Sequence, residues 1–90
     1  MAKTRVIKAT NKCGKRVKIG RVEKDMTQLD LATALNMDYD VEISSTGVSD
    51  LENGKRFVKD FEIIALADLL DKHPMWLLFG DKVPAKYKVL

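Results

Sequence analysis

The side chains able to do chemistry in this chain are few in kind. His73 is the only histidine and Cys13 the only cysteine, so neither a His/Cys metal cluster nor an intrachain disulfide is expected. No nucleophile or carboxylate stands in a catalytic motif around His73, and no Gly-rich phosphate loop occurs. The expectation is a protein that is not an enzyme and carries no cofactor. What remains is hydrogen-bonding capacity: Ser44, Ser45, Thr46, Ser49 and Asp50, with Gly47 among them, followed closely by Asn53, Lys55 and Arg56. Taken alone, the hydroxyls of Ser44, Ser45 and Thr46 read as helix caps.

Charge adds a second clue. Residues 1 to 24 hold nine basic side chains against Glu23 alone, whereas residues 25 to 53 hold seven acids and no base. The net charge of +3 conceals this asymmetry. A basic arm beside an acidic middle suggests an anionic partner for the arm, with a solvated charge run as the plain alternative. The longest apolar runs, Ile63 to Ala67 and Met75 to Phe79, are too short to span a bilayer, and the basic N-terminus has no apolar signal segment. With its lone thiol, the chain reads as cytoplasmic.

The elements that must position these groups are helices. Ninety residues, 46% of them apolar and only two Pro, fit one packed domain. Cys13, Val17 and Gly20 share a buried stripe on a helix over about Lys12 to Lys24, with Ile19 and Val22 on a neighbouring face. Gly20 costs roughly 1 kcal/mol there relative to Ala, and close approach of another element is one reason to keep it. Thr27 caps a second helix carrying Gln28, Leu31, Ala32 and Leu35. The alternating acids and apolar residues of Asn36 to Ile43 break that period and predict a loop dropping Val41 or Ile43 into the core. Ser44 or Ser45 caps a third helix, with Val48 and Leu51 inward, which Asn53-Gly54 ends. Asp60 caps a fourth, buried through Phe61, Ile64, Ala65, Ala67 and Leu69. Pro74 opens a short fifth helix that Gly80 closes, with Trp76 and Phe79 as core aromatics.

Together, TQLDLATAL (27 to 35), VSDLENGKR (48 to 56) and WLLFG (76 to 80) resemble the helix-turn-helix domain of the Cro and phage-repressor family, often called Xre-type. The resemblance covers about Cys13 to Gly80. It implies an all-α fold, a five-helix lambda-repressor-like bundle with a helix-turn-helix, here with an extended turn between helices 2 and 3. The implied organisation is a basic arm (1–12), the helix-turn-helix domain (13–80) and a C-terminal tail (81–90). It further implies a DNA-binding transcriptional regulator, repressor-like, whose third helix enters the major groove of double-stranded DNA. Ser44, Ser45, Thr46, Gly47, Ser49 and Asp50 then face the DNA, while Gln28 braces a phosphate and Asn53, Lys55 and Arg56 grip the backbone. The resemblance also implies an Arg21–Glu52 ion pair between the first and third helices, and the few phosphate contacts of so small a domain predict a homodimer on DNA. Exposed candidates for its contact are Ile19 and Val22, or the favoured C-terminal set Leu77, Leu78, Tyr87 and Leu90. No Arg, Lys, Asn or Gln lies between Ser44 and Glu52, so direct base readout should be modest, with Asp50 either accepting from cytosine or repelling phosphate. The alternative function is a protein-interaction module that keeps the fold and uses its acidic middle.

Overall fold

A computed structural model describes residues 10–87. Five α-helices follow in order, α1 (Gly14–Glu23), α2 (Gln28–Tyr39), α3 (Ser45–Glu52), α4 (Asp60–Leu70) and α5 (Pro74–Phe79), then a single 3₁₀ turn at Ala85–Tyr87. No strand occurs among the described residues. The packing is that of a five-helix lambda-repressor-like bundle: α2 lies against α3 and α4, while α1 touches α3, α4 and α5. Val17, Leu31, Leu35, Val48, Leu51, Leu66, Leu70 and Leu77 are the large residues buried at its centre. Cys13 lies with them, and burial pushes its thiol above the usual range. None of the described helices is long and apolar enough to cross a membrane.

Local chemistry explains the helix ends. Thr27 accepts the Asp30 backbone N–H at 2.9 Å while the Asp30 carboxylate accepts that of Thr27, also at 2.9 Å. This is a capping box with Asp in the acidic position. Ser44 accepts from the Gly47 N–H at 3.0 Å and so caps α3. Gly54, at φ 75°, turns the chain away after α3. Pro74 occupies the first turn of α5, where a missing N–H is harmless, and Gly80 ends the helix at φ 68°. His73 caps that helix through Nδ1, which accepts the Met75 N–H at 3.0 Å. Gly20 has the close neighbour expected of it: an added Cβ would stand 3.2 Å from Leu70 Cδ1.

Four sequence expectations give way. First, the expected loop over Asn36 to Ile43 begins only at Asp40, because α2 continues to Tyr39, though Val41 does drop into the core. Asn36 donates from Nδ2 to the carbonyls of Ala32 and Ile43, both at 2.7 Å, and Tyr39 donates its hydroxyl to Asp68 on α4. Asp40 then takes a left-handed conformation (φ 59°), and Val41, 3% exposed, returns its N–H to the Leu35 carbonyl at 3.0 Å. The connection is therefore Asp40 to Ser44, shorter than the stretch expected from the sequence.

Second, α4 turns only part of the expected face inward: Ala65 and Ala67 are buried and Leu69 packs against the core, but Phe61 and Ile64 do not. Phe61 and Ile64 are 53% and 65% exposed, whereas Glu62, Ala65, Leu66, Ala67 and Leu70 are buried. In DFEIIALADLL eight of eleven positions are apolar and they surround the helix, so periodicity cannot select a side. Glu62 selects it, accepting the Lys59 N–H at 3.1 Å and a two-bond fork from Arg56 at 3.0 and 3.2 Å. The cap of α4 thus comes from Glu62 and not from Asp60, whose Oδ1 accepts the N–H of Phe61. Burial raises the Glu62 carboxyl pKa, but the bonds from Arg56 and Lys59 outweigh it and hold the group below its usual range.

Third, only Trp76 of the two aromatics packs on the core; Phe79 is 37% exposed and meets Tyr87, with ring centroids 5.8 Å apart. Leu77, offered as an exposed candidate, is fully buried, and Leu90 lies outside the described residues. Fourth, the basic arm does not extend free to residue 12. Thr10 donates its N–H and hydroxyl to the Gly54 carbonyl at 2.7 and 3.0 Å. Asn11 donates from Nδ2 to the carbonyls of Leu51 and Arg56 at 3.0 and 2.8 Å, while its Oδ1 accepts from Cys13 and Gly14 N–H and so caps α1. The part of the proposed arm at residues 1–9 lies outside the described residues.

Candidate nucleic-acid interface

The site is built on α3, whose eight residues divide cleanly. Val48 and Leu51 are locked into the core, and Glu52 turns inward with them. The opposite side presents Ser44, Thr46 and Asp50, all exposed, with Ser45, Gly47 and Ser49 half-buried along its edges. No side chain on that outer side is longer than Asp50, so a surface can approach the helix closely. Gly47 has a packing reason to be Gly: an added Cβ would stand 2.7 Å from Ile43 Cγ1.

The depth and tilt of α3 are set by a buried polar network. Arg21 on α1 donates from Nε to Glu52 Oε2 at 2.6 Å and from Nη2 to Oε1 at 3.1 Å, and its Nη1 reaches the Met26 carbonyl at 2.8 Å. The side chains of this pair are 10% and 2% exposed, so the ion pair implied by the resemblance is present and almost dry. The bond from Glu52 holds the guanidinium protonated beyond its ordinary range. Gln28, the first residue of α2, donates from Nε2 to the same Oε1 at 3.0 Å. Three helices thus meet on one carboxylate, and Gln28 is pointed from the start of α2 toward the end of α3.

After α3, Asn53 and Lys55 are exposed and their backbone is pinned: Asn53 N–H donates to the Ser49 carbonyl at 3.0 Å and Lys55 N–H to that of Asp50 at 2.8 Å. Arg56 departs from the role expected of it. Its guanidinium is committed to Glu62 and to the Phe57 carbonyl, so in this structure it fixes the α3–α4 connection. Gln28 is thus tied to the end of α3, Asn53 and Lys55 are exposed just beyond it, and Arg56 is bonded to Glu62. Sequence reasoning missed Asn11 and Glu62, which hold both ends of this segment. The signal for Asn11 was its position as a capping residue type just ahead of a helix, hidden by the surrounding lysines.

A short connection between α2 and α3, a capped second helix and a third helix with one bare polar face define a helix-turn-helix protein. A family model described as helix-turn-helix matches residues 17–77, and the chain belongs to that family, of the Cro and phage-repressor type. Among solved structures, the chain is similar to the P22 c2 repressor protein, crystallised in complex with synthetic operator 9T in the presence of Tl⁺. The TM-score is 0.66 at 24% identity, over 80% of this chain and 100% of that one. That likeness carries the fold. No curated protein sequence matches the chain.

Proposed function

We propose that this protein is a DNA-binding, repressor-like transcriptional regulator of double-stranded DNA that lays α3 in the major groove. The observation that carries this reading is the bare outer side of α3 held in place from α1 and α2 through Glu52. Ser44, Ser45, Thr46 and Ser49 offer hydroxyls to base edges and nearby phosphates, Gln28 braces a phosphate, and Asn53 and Lys55 hold the backbone beyond the helix. Arg56 positions that connection through Glu62. The repressor structure of similar fold was solved on an operator, which supports the same use here. The protein works as a DNA-binding regulator in the cytoplasm, with no chemistry of its own.

The test is a gel-shift titration of the full chain against a random-sequence duplex at low salt, followed by selection of preferred sequences. Binding that weakens with salt is expected. Complete absence of binding would overturn the reading in favour of a protein partner for the exposed acids Asp38, Asp40 and Glu42. Asp50→Ala gives a sharper result. Asp50 sits toward the end of α3, beside the residues assigned to phosphate, so its charge opposes binding. Removing a screened like charge is worth about 1 kcal/mol, or roughly fivefold tighter binding to every duplex. Loss confined to one base pair would instead mean that Asp50 reads cytosine.

The active form on DNA is a homodimer paired through the C-terminal surface. Leu78, Phe79 and Tyr87 are exposed there and adjacent, and two-fold pairing would roughly double the contacts on half-sites about one helical turn apart. Two protomers per palindromic duplex are expected in sedimentation, reduced to one by Leu78→Asp. One protomer per palindrome for the unmodified chain would remove the dimer.

A further inference from the structure

We propose that the outer face of α1, with Lys12 just ahead of it, is a second contact for the DNA sugar-phosphate backbone, in which Lys12, Lys15 and Lys18 hold phosphates beyond those reached by Asn53. This rests on the DNA-binding reading above and adds a surface to it. The three lysines recur every third residue, all are exposed, and with Asn11, Asn53 and Ile19 they line an open cleft of about 650 Å³ between α1 and the end of α3. Among the described residues none of the three has an ion-pair partner. The one acid lining the cleft, Glu52, is already spent on Arg21 and Gln28, and the one acid on α1, Glu23, pairs with Lys72 at 2.8 Å.

Two features make this arrangement unfavourable for the isolated protein. Like charges three residues apart on a helix repel, and cations at the start of a helix oppose its dipole. Yet the first turn of α1 has no acid, and Lys12 and Lys15 stand at that end. Local rules broken without compensation inside the fold point to a partner outside it, and an anion would relieve both conflicts. The N–H groups of Cys13 and Gly14 are already bonded to Asn11, which leaves the lysine side chains as the main groups able to reach a phosphate here.

The cleft is also rigid with respect to α3. A Cβ on Gly14 would stand 2.4 Å from the Leu51 carbonyl oxygen and 2.9 Å from that of Glu52. The start of α1 therefore sits directly on the end of α3, and Asn11 bonds across the same junction. Lysines placed by this contact keep a fixed offset from Asn53 and Lys55, as successive phosphates of one strand require. Contacts of this kind position the protein without reading sequence.

The experiment is fluorescence anisotropy with a labelled random-sequence duplex over a range of salt, using the full chain, Lys15→Gln/Lys18→Gln, and Lys24→Gln/Lys82→Gln as a control of equal charge change. Loss of two phosphate contacts should flatten the log–log salt slope by about 1.8 for each protomer bound and weaken binding to all sequences alike, while the control keeps the original slope. Circular dichroism should show unchanged folding of both variants. An unchanged slope for Lys15→Gln/Lys18→Gln, or an equal change in the control, would overturn the proposal while leaving DNA binding intact. Failure of the unmodified chain to bind any duplex would overturn the DNA reading itself.

Discussion

Replacing Arg21 by Met is expected to destabilise the domain by about 3–5 kcal/mol, because it strands the Glu52 carboxylate in the core. Glu52 is 6% exposed overall and would keep only the Gln28 amide as a partner. The Met26 carbonyl loses its bond as well, which loosens the turn from α1 to α2. A domain of this size has about 5–15 kcal/mol to lose, so the urea midpoint should fall steeply. Changing both partners, Arg21→Met with Glu52→Leu, should recover a large part of that loss, since the desolvation cost of both charges disappears together. Recovery stays incomplete, because the Met26 carbonyl and the Gln28 amide are left without their partners. The cycle of single and double variants separates the coupling from the packing. An Arg21→Met midpoint equal to that of the unmodified chain would refute the network as a stabilising element. The double variant has a further consequence: with Gln28 released, DNA binding should weaken even where folding has recovered.

The contrast between this network and α4 shows what the sequence could disclose. Most caps decided by short-range chemistry, though not that of Asn11, were legible, as at Thr27, Ser44, the Asn53-Gly54 pair, Pro74 and Gly80. So was the buried side of α1, where Cys13, Val17 and Gly20 alternate with charge. The face of α4 was not legible, since its apolar residues surround the helix and the choice depends on Arg56 finding Glu62. The end of α2 was hidden for a related reason. Asn36 and Tyr39 are held by groups on Ile43 and Asp68, and no local pattern announces such partners. At the candidate interface, the outward side chains of α3 followed from its period, whereas the inward turn of Arg56 and the anchoring of Asn11 are tertiary facts.

That anchoring changes how the basic arm should be tested. Its charge suggests that Lys3, Arg5 and Lys8, which lie outside the described residues, supply affinity that the acidic middle and the short side chains of α3 cannot. A cut at residue 12 would also remove Thr10 and Asn11, which tie the chain to Gly54, Leu51 and Arg56 and cap α1. Any loss of binding would then be confounded with loss of structure. A chain beginning at Thr10 keeps these bonds and should retain the thermal midpoint of the full protein. Losing three phosphate contacts should flatten the salt slope by about 2.7 for each protomer bound, so that affinity per protomer falls about fortyfold less than before when salt is raised fourfold. Binding should weaken on every duplex, with the order of preferred sequences preserved. Thr46→Ala and Ser45→Ala should do the reverse, changing the preferred sequence and leaving the slope as it was. If the shortened chain binds with the original affinity and slope, residues 1–9 hold no DNA, and the basic charge that offsets the acidic middle must be sought on α1 and at Lys55.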